Sequence, residues 1–236
     1  MKPVYKRVVI KISGEALAGE KKTGFDFDLI STVCGTVKKA AESGVQIGIV
    51  IGGGNFWRGV KDGAGKVERV SADRMGMLAT CMNCLAVCDV LRQLGAKARV
   101  MTAVDIMGVG ERYDTRRAIE YMEAGEIVLF AGGSGAPFFS TDTAAALRAA
   151  EIHADAILLA KNIDGVYSAD PRTNPDAVKF DRISYDEVLA RRLAVMDSTA
   201  TSLAMDNDIP VVVFALAEPE NILRVLGGEA IGTTVG

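Results

Sequence analysis

Histidine is nearly absent from this chain: there is one, His153, in 236 residues. That excludes multi-histidine metal sites and leaves at most one imidazole for acid–base work. A basic excess is missing too. Lys+Arg 27 against Asp+Glu 30 gives a net charge of −3, with no surplus of cations to grip a nucleic acid backbone. No apolar run approaches the ~20 residues of a membrane helix. Behind the basic N-terminus, the stretch Val8-Val9-Ile10 is cut by Lys11, which argues against a signal peptide. The expectation is a soluble, cytoplasmic protein with neither membrane nor nucleic acid as partner.

Cysteine is scarce, and three of the four stand close together: Cys81, Cys84 and Cys88, with Cys34 far away in sequence. In a helix this spacing puts all three thiols on one face. Leu78, Ala79, Leu85, Ala86 and Val87 make the surroundings apolar, and no histidine is near. Free cysteine commonly serves as a small buried hydrophobe, so these thiols are read as core and not as metal ligands.

Glycine is in surplus, 25 residues where average usage of about 7% gives about 16 or 17. Many punctuate a regular alternation of short β-branched runs and helical patterns. Strands are expected at 8–12, 45–51, 99–101, 127–130, 156–160 and 211–214. Between them, helices are expected from Asp28 (as cap) to before Gly44, from Ser71 to Leu94, from Asp114 to Ala124 and from Thr141 to Ile152, with another opened by Pro219. Continuous apolar strands each followed by a helix predict a mainly parallel sheet with helices on both faces, an α/β three-layer sandwich in one domain. The polar stretch 162–181, with Pro171 and Pro175, is expected to be a loop or hairpin excursion.

In such a sheet, ligands bind where the strands end. Three strand-end segments combine there: Lys11-Ile12-Ser13-Gly14, Gly52-Gly53-Gly54-Asn55, and Gly132 through Ser140. Lysine offers a compact cation, and glycines let backbone N–H groups approach an anion. Other glycine motifs fail. Gly65-Lys66 is followed by valine, so there is no P-loop. Trp57 stands where G-x-G-x-x-G needs its last glycine, and Ser134 has Ala136 where a nucleophile elbow needs glycine. Three segments together, one with a lysine, point to polyphosphate.

Lys11-Ile12-Ser13-Gly14-Glu15-Ala16-Leu17 and Val50-Ile51-Gly52-Gly53-Gly54-Asn55, with Arg58-Gly59, resemble the amino-acid kinase superfamily. Asp73 with Met75-Gly76-Met77-Leu78-Ala79-Thr80, Pro137-Phe138-Phe139-Ser140-Thr141-Asp142, the run Asp164 to Pro171, and Val195-Met196-Asp197 are similar to its bacterial uridylate kinase family. The likeness runs from about Tyr5 to Thr233. It implies transfer of phosphate from ATP to UMP with Mg²⁺, in pyrimidine nucleotide synthesis, by a homohexamer under nucleotide control (UTP inhibition, GTP activation). The rivals are another phosphotransferase of the superfamily and a non-catalytic nucleotide- or oxyanion-binding protein on the same fold.

The resemblance also assigns roles. Lys11, Ile12, Ser13, Gly14, Gly54 and Arg58 would hold the ATP phosphates, and Tyr167 and Asp170 the adenosine part, with Lys161 or Asn162 left open. UMP would meet Gly53, Asp73 and the run Ser134, Gly135, Ala136, Pro137, Phe138, Phe139, Ser140 and Thr141. Lys11, Arg58, Asp142 and Asp197 would be the catalytic group, with Mg²⁺ held through phosphates and water and no protein ligand assigned. An acceptor lobe over about 1–160 and an ATP lobe over about 161–236 would share the single domain. Asp142 also has a structural alternative, the N-cap of the helix ahead of Thr143, and His153 at that helix's end is read as structural. Two departures stand out: Ala136 replaces an asparagine usual in the family, and the segment Gly19 to Gly24 lacks the Gly-Phe-Gly of the region tied to GTP.

Overall fold

A computed structural model describes residues 2–58 and 65–236. Gly59 of the Arg58-Gly59 motif lies outside the described residues. A nine-stranded sheet runs through the middle. Its strands are β1 (Arg7–Ile12), β2 (Gln46–Ile51), β3 (Ala98–Thr102), β4 (Glu111–Arg112), β5 (Ile127–Ala131), β6 (Ala156–Lys161), β9 (Arg182–Ile183), β10 (Val211–Ala215) and β11 (Thr233–Val235). The spatial order is β4-β3-β5-β2-β1-β6-β10-β11-β9. Every pairing is parallel except β10 with β11. The polar excursion forms a separate antiparallel hairpin, β7 (Val166–Tyr167) with β8 (Lys179–Phe180).

The helices divide between the two faces. On one lie α2 (Phe27–Glu42), α3 (Arg69–Gln93) and α8 (Asn221–Leu226); on the other lie α4 (Thr115–Glu123), α5 (Thr141–Glu151), α6 (Tyr185–Ala190) and α7 (Ser198–Asp206). A four-residue α1 (Gly14–Leu17) follows β1. Strand alternation explains the division. Val8, Ile10 and Ile12 of β1 enter one core and Val9 the other, all fully buried or nearly so. Lys11 therefore shares the face of Val9, on which α5 lies.

The expected strands and helices are present within one to three residues at their ends. Asp26, not Asp28, caps α2: Asp26 is extended and accepts the Leu29 N–H at 3.2 Å, while Asp28 falls inside the first turn. Ser140, not Asp142, caps α5, its hydroxyl accepting the N–H groups of residues 142 and 143. The helix after Pro219 starts only at Asn221. Strands β4, β9 and β11 and helices α6 and α7 were not anticipated.

All four cysteines are free and buried in the core between α2, α3 and the sheet, as anticipated. Burial pushes the Cys34 thiol up to about 12 and Cys84 well above its ordinary value. Such thiols stay protonated and unreactive. Helix α3 is long and apolar enough to cross a membrane by length and composition, although polar residues interrupt its apolar runs. Half of its most apolar window is buried within the fold, as in a core helix.

Candidate functional site

Parallel strands bring their C-terminal ends to one edge, so the three glycine segments meet there. Lys11 pairs with Val50 and Ile12 with Ile51 across β1 and β2, and Ile12 with Ala160 across to β6. The turn after β2 touches the start of α1. A Cβ at Gly14 would lie 2.2 Å from the Gly52 carbonyl oxygen, so the two phosphate-type turns pack backbone to backbone. Only glycine allows that approach.

Helix α3 pins the same turn through side chains. Asn83 donates to the Gly52 carbonyl at 2.6 Å, and Asn55 and Asn83 exchange hydrogen bonds at 2.9 and 2.8 Å. Thr80 accepts the Gly132 N–H at 2.9 Å, fixing the third glycine segment to the same helix. Asn83 was not singled out from sequence, and Thr80 stood only as the last residue of the Met75 to Thr80 motif, without a role. The usable signal was a buried amide inside an apolar helix, since a buried polar group needs a partner.

Two cavities open at this edge. The smaller, about 150 Å³, lies between α3 and the loop 132–140. Of the residues expected at the acceptor, Gly53, Asp73, Ser134, Ala136, Phe139, Ser140 and Thr141 line it. Gly135, Pro137 and Phe138 belong to the same loop without lining the cavity, and the Phe138 ring is exposed. Trp57 joins the wall, its ring N–H donating to the Ala72 carbonyl at 2.8 Å.

The larger cavity, about 700 Å³, is lined by Lys11, Ser13, Asp142, Lys161, Asn162, Tyr167 and Asp170, with Arg172, Arg191 and Arg192 around it. Both Lys161 and Asn162 line it, so the open choice between them does not arise at the level of placement. Ile12 is a core side chain. Gly54 and Arg58 stand outside this lining: Arg58 pairs with Glu15 at 3.0 Å and donates to the Gly54 carbonyl at 3.3 Å, spanning the turn and α1. Thr141 lines the small cavity and Asp142 the large one. The cavities therefore abut at the N-terminus of α5, where backbone N–H groups and the helix dipole favour an anion.

At that junction Lys11 meets Asp142, ammonium to carboxylate at 2.5 Å, both largely buried. Lys161 is the second lysine here and donates to the Val195 carbonyl. Burial lowers its pKa, and nearby Lys11 lowers it further while Asp142 works against both. The two ammonium groups at the junction are suited to phosphate oxygens. Asp197 lies beside this group without bonding Lys11. Its carboxylate accepts from the hydroxyls of Ser140 and Thr143 and from the Ala200 N–H, tying α5 to α7. Burial alone would raise the Asp197 pKa, but these hydrogen bonds outweigh it and hold the carboxyl below its usual value.

Among the described residues no group of three His, Cys, Asp or Glu side chains is placed to hold a metal. Asp142 Oδ1 is buried with no hydrogen bond besides its ion pair with the Lys11 ammonium. One carboxylate and no protein cage fit Mg²⁺, a cation that keeps several waters and binds mainly through phosphates.

Comparison with known proteins places the chain in a family. The sequence pattern of the Amino acid kinase family matches residues 6–215. A uridylate kinase of Streptococcus thermophilus is 56% identical over 234 residues, 99% of this chain and 96% of the relative. The chain belongs to the uridylate kinase branch of the amino acid kinase family. The crystal structure of UMP kinase from Bacillus anthracis superposes with a TM-score of 0.95 at 38% identity, covering 98% of this chain and 96% of the other. UMP kinase from Ureaplasma parvum gives 0.92 at 35% identity, covering 98% of each. Membership makes the single-domain α/β sandwich the family fold.

Proposed function

We propose that this kinase transfers the terminal phosphate of ATP to UMP, giving UDP and ADP, in pyrimidine nucleotide synthesis. The observation that carries the reading is the junction itself: a small cavity with Asp73 and a large one with Tyr167 and Asp170 abut at the Lys11–Asp142 pair. UMP occupies the small cavity, its ribose hydroxyls donating to Asp73. ATP occupies the large one. Residues up to about 160 form the acceptor lobe and about 161–236 the ATP lobe, with Lys11, Ser13 and Asp142 reaching across from the first.

Phosphoryl transfer needs alignment and neutralisation of charge spread over the transferred group, with little covalent help. Lys11 and Lys161 supply cations, Arg58 a third at the Gly54 turn, and the glycine turns backbone N–H donors. When bound, Mg²⁺ neutralises phosphate charge, and Asp142 is the residue that would hold it through its water shell. Asp142 also fixes the Lys11 ammonium, and Asp197 fixes Ser140 at the acceptor wall and braces Thr143 of α5.

Assembly as a homohexamer in the cytoplasm is part of the same reading. It is supported by an exposed apolar stripe on α3, Met75, Leu78, Met82 and Leu85, spaced three or four apart along one side of the helix. Light scattering should give a multiple of the 25.0 kDa chain. The activity test is ADP release with ATP, Mg²⁺ and a panel of UMP, CMP, dUMP, AMP, acetylglutamate and carbamate. UMP should be turned over fastest, and folded protein inert toward UMP overturns the reading. UTP and GTP titrated into the same assay test inhibition and activation.

A further inference from the structure

The first residue of α3 breaks the rules of helix design. Arg69 places a cation in the first turn, against the helix dipole, with no acidic residue in that turn and no side-chain cap from Glu68. Its pair with Asp73 runs basic to acidic along the chain, the weaker of the two i, i+4 orientations. A local rule broken without a gain in stability points to a functional site.

What Arg69 touches shows what it does. Its Nε donates to Asp73 Oδ2 at 2.7 Å. The Phe138 N–H donates to that same oxygen, also at 2.7 Å. The Arg69 guanidinium stands 5.0 Å from the centre of the Phe138 ring, within cation–π range. Phe138 holds a left-handed backbone, φ 71°, a conformation bulky residues adopt only when their surroundings impose it. The Asp73 Oδ1 oxygen accepts no hydrogen bond among the described residues, and Asp73 lines the small cavity.

We infer that Arg69 is a positioning residue for the acceptor nucleotide. It saturates Oδ2 together with the Phe138 N–H, so that Asp73 offers Oδ1 alone to the sugar. Through the same oxygen and the stacked ring it latches the loop 132–140 onto α3. The cavity wall that contains Ser134, Ala136, Phe139 and Ser140 is then set before the nucleotide arrives, and less ordering is needed on binding. The role in UMP binding rests on the acceptor reading above; the latch itself does not.

The test uses Arg69→Met, which keeps the aliphatic stem, and Arg69→Lys, which keeps the charge and reach to Asp73 but not the planar group over Phe138. In nucleotide-free protein, amide hydrogen exchange of the loop 132–140 should speed up at least about fivefold in Arg69→Met, because the latch opens locally. Trp57 is the chain's one tryptophan and lines the small cavity, so its fluorescence reads UMP binding without turnover. The UMP Kd and KM should rise about tenfold in Arg69→Met, the scale of one lost charge-assisted contact, with the ATP KM changed less than about twofold. Arg69→Lys should fall between wild type and Arg69→Met. Unchanged loop exchange overturns the latch whatever the nucleotides do. Equal weakening of UMP and ATP overturns the positioning role in favour of a purely structural one. Wild-type protein that ignores UMP overturns the acceptor reading, while the exchange measurement still decides the latch.

Discussion

The two cavities at the sheet edge are built in opposite ways. The small one is held by a rigid helix: Asn83, Thr80 and Asp73 of α3 each bond a glycine segment or the loop that faces it. The large one is walled mostly by irregular chain, residues 162–172 and 191–194, and is more than four times the volume. Its fixed contribution is charge, Lys11, Lys161 and Asp142. On the proposed function, the contrast means that one substrate is selected by a preset shape and the other held by electrostatics in a roomier space. Changes in the first region should discriminate between nucleotides, and changes at the charged junction should act on the reaction itself.

The largest effect should come from the junction. Lys11→Met should lower kcat by roughly 10²–10³, the cost of deleting one preorganised charge at a transition state, with circular dichroism showing a folded chain. A wild-type rate would move the reaction centre elsewhere. Next comes shape. A Cβ at Gly53 would stand 2.9 Å from both the Ala79 Cβ and the Gly76 carbonyl oxygen. Gly53→Ala should raise the UMP KM by about tenfold, as small misplacements do, and leave the ATP KM nearly unchanged; parallel losses would erase the distinction between the regions.

Charge in the large cavity should show in pH. The lowered Lys161 pKa means that the fold disfavours its cation, a cost present below that pKa and relieved as pH rises toward the ordinary lysine value. The ATP KM should accordingly climb on the alkaline side below the pH of an ordinary lysine. Lys161→Arg, charged throughout, should flatten that climb in KM measured against pH. The smallest effect belongs to the brace between α5 and α7. Asp197→Asn should cost about 1 kcal/mol, in the range of a lost helix cap. Because the folded pKa of Asp197 is depressed, its contribution is present above the usual carboxylate pKa and is lost as pH falls through the folded value. The gap in Tm between wild type and Asp197→Asn should close as the solution is acidified.

The long parallel strands and their helices were legible because a strand buried on both faces reads as an unbroken apolar run, as in Ile127 to Ala131 or Ala156 to Ala160. The pieces missed are the short ones. Strands β4 and β9 have two residues each and β11 three, too few to show a period, and they exist by pairing with neighbours distant in sequence. The site divides similarly. Lys11 and the three glycine turns were visible because strand ends concentrate ligands. Asn83, inside the expected helix, and Arg69, just ahead of it, were not, because a polar side chain there gives no sign of which distant turn or loop it bonds.

The amide exchange between Asn55 and Asn83 carries a consequence for how the sequence can drift. Each side chain both gives and takes, and both sit buried. Aspartate at one position would set two oxygens face to face, and an apolar residue would leave the other amide's oxygen buried without a donor, although its N–H group keeps the Gly24 or Gly52 carbonyl. The two positions, 28 residues apart, should therefore tolerate a joint change better than a change at either alone.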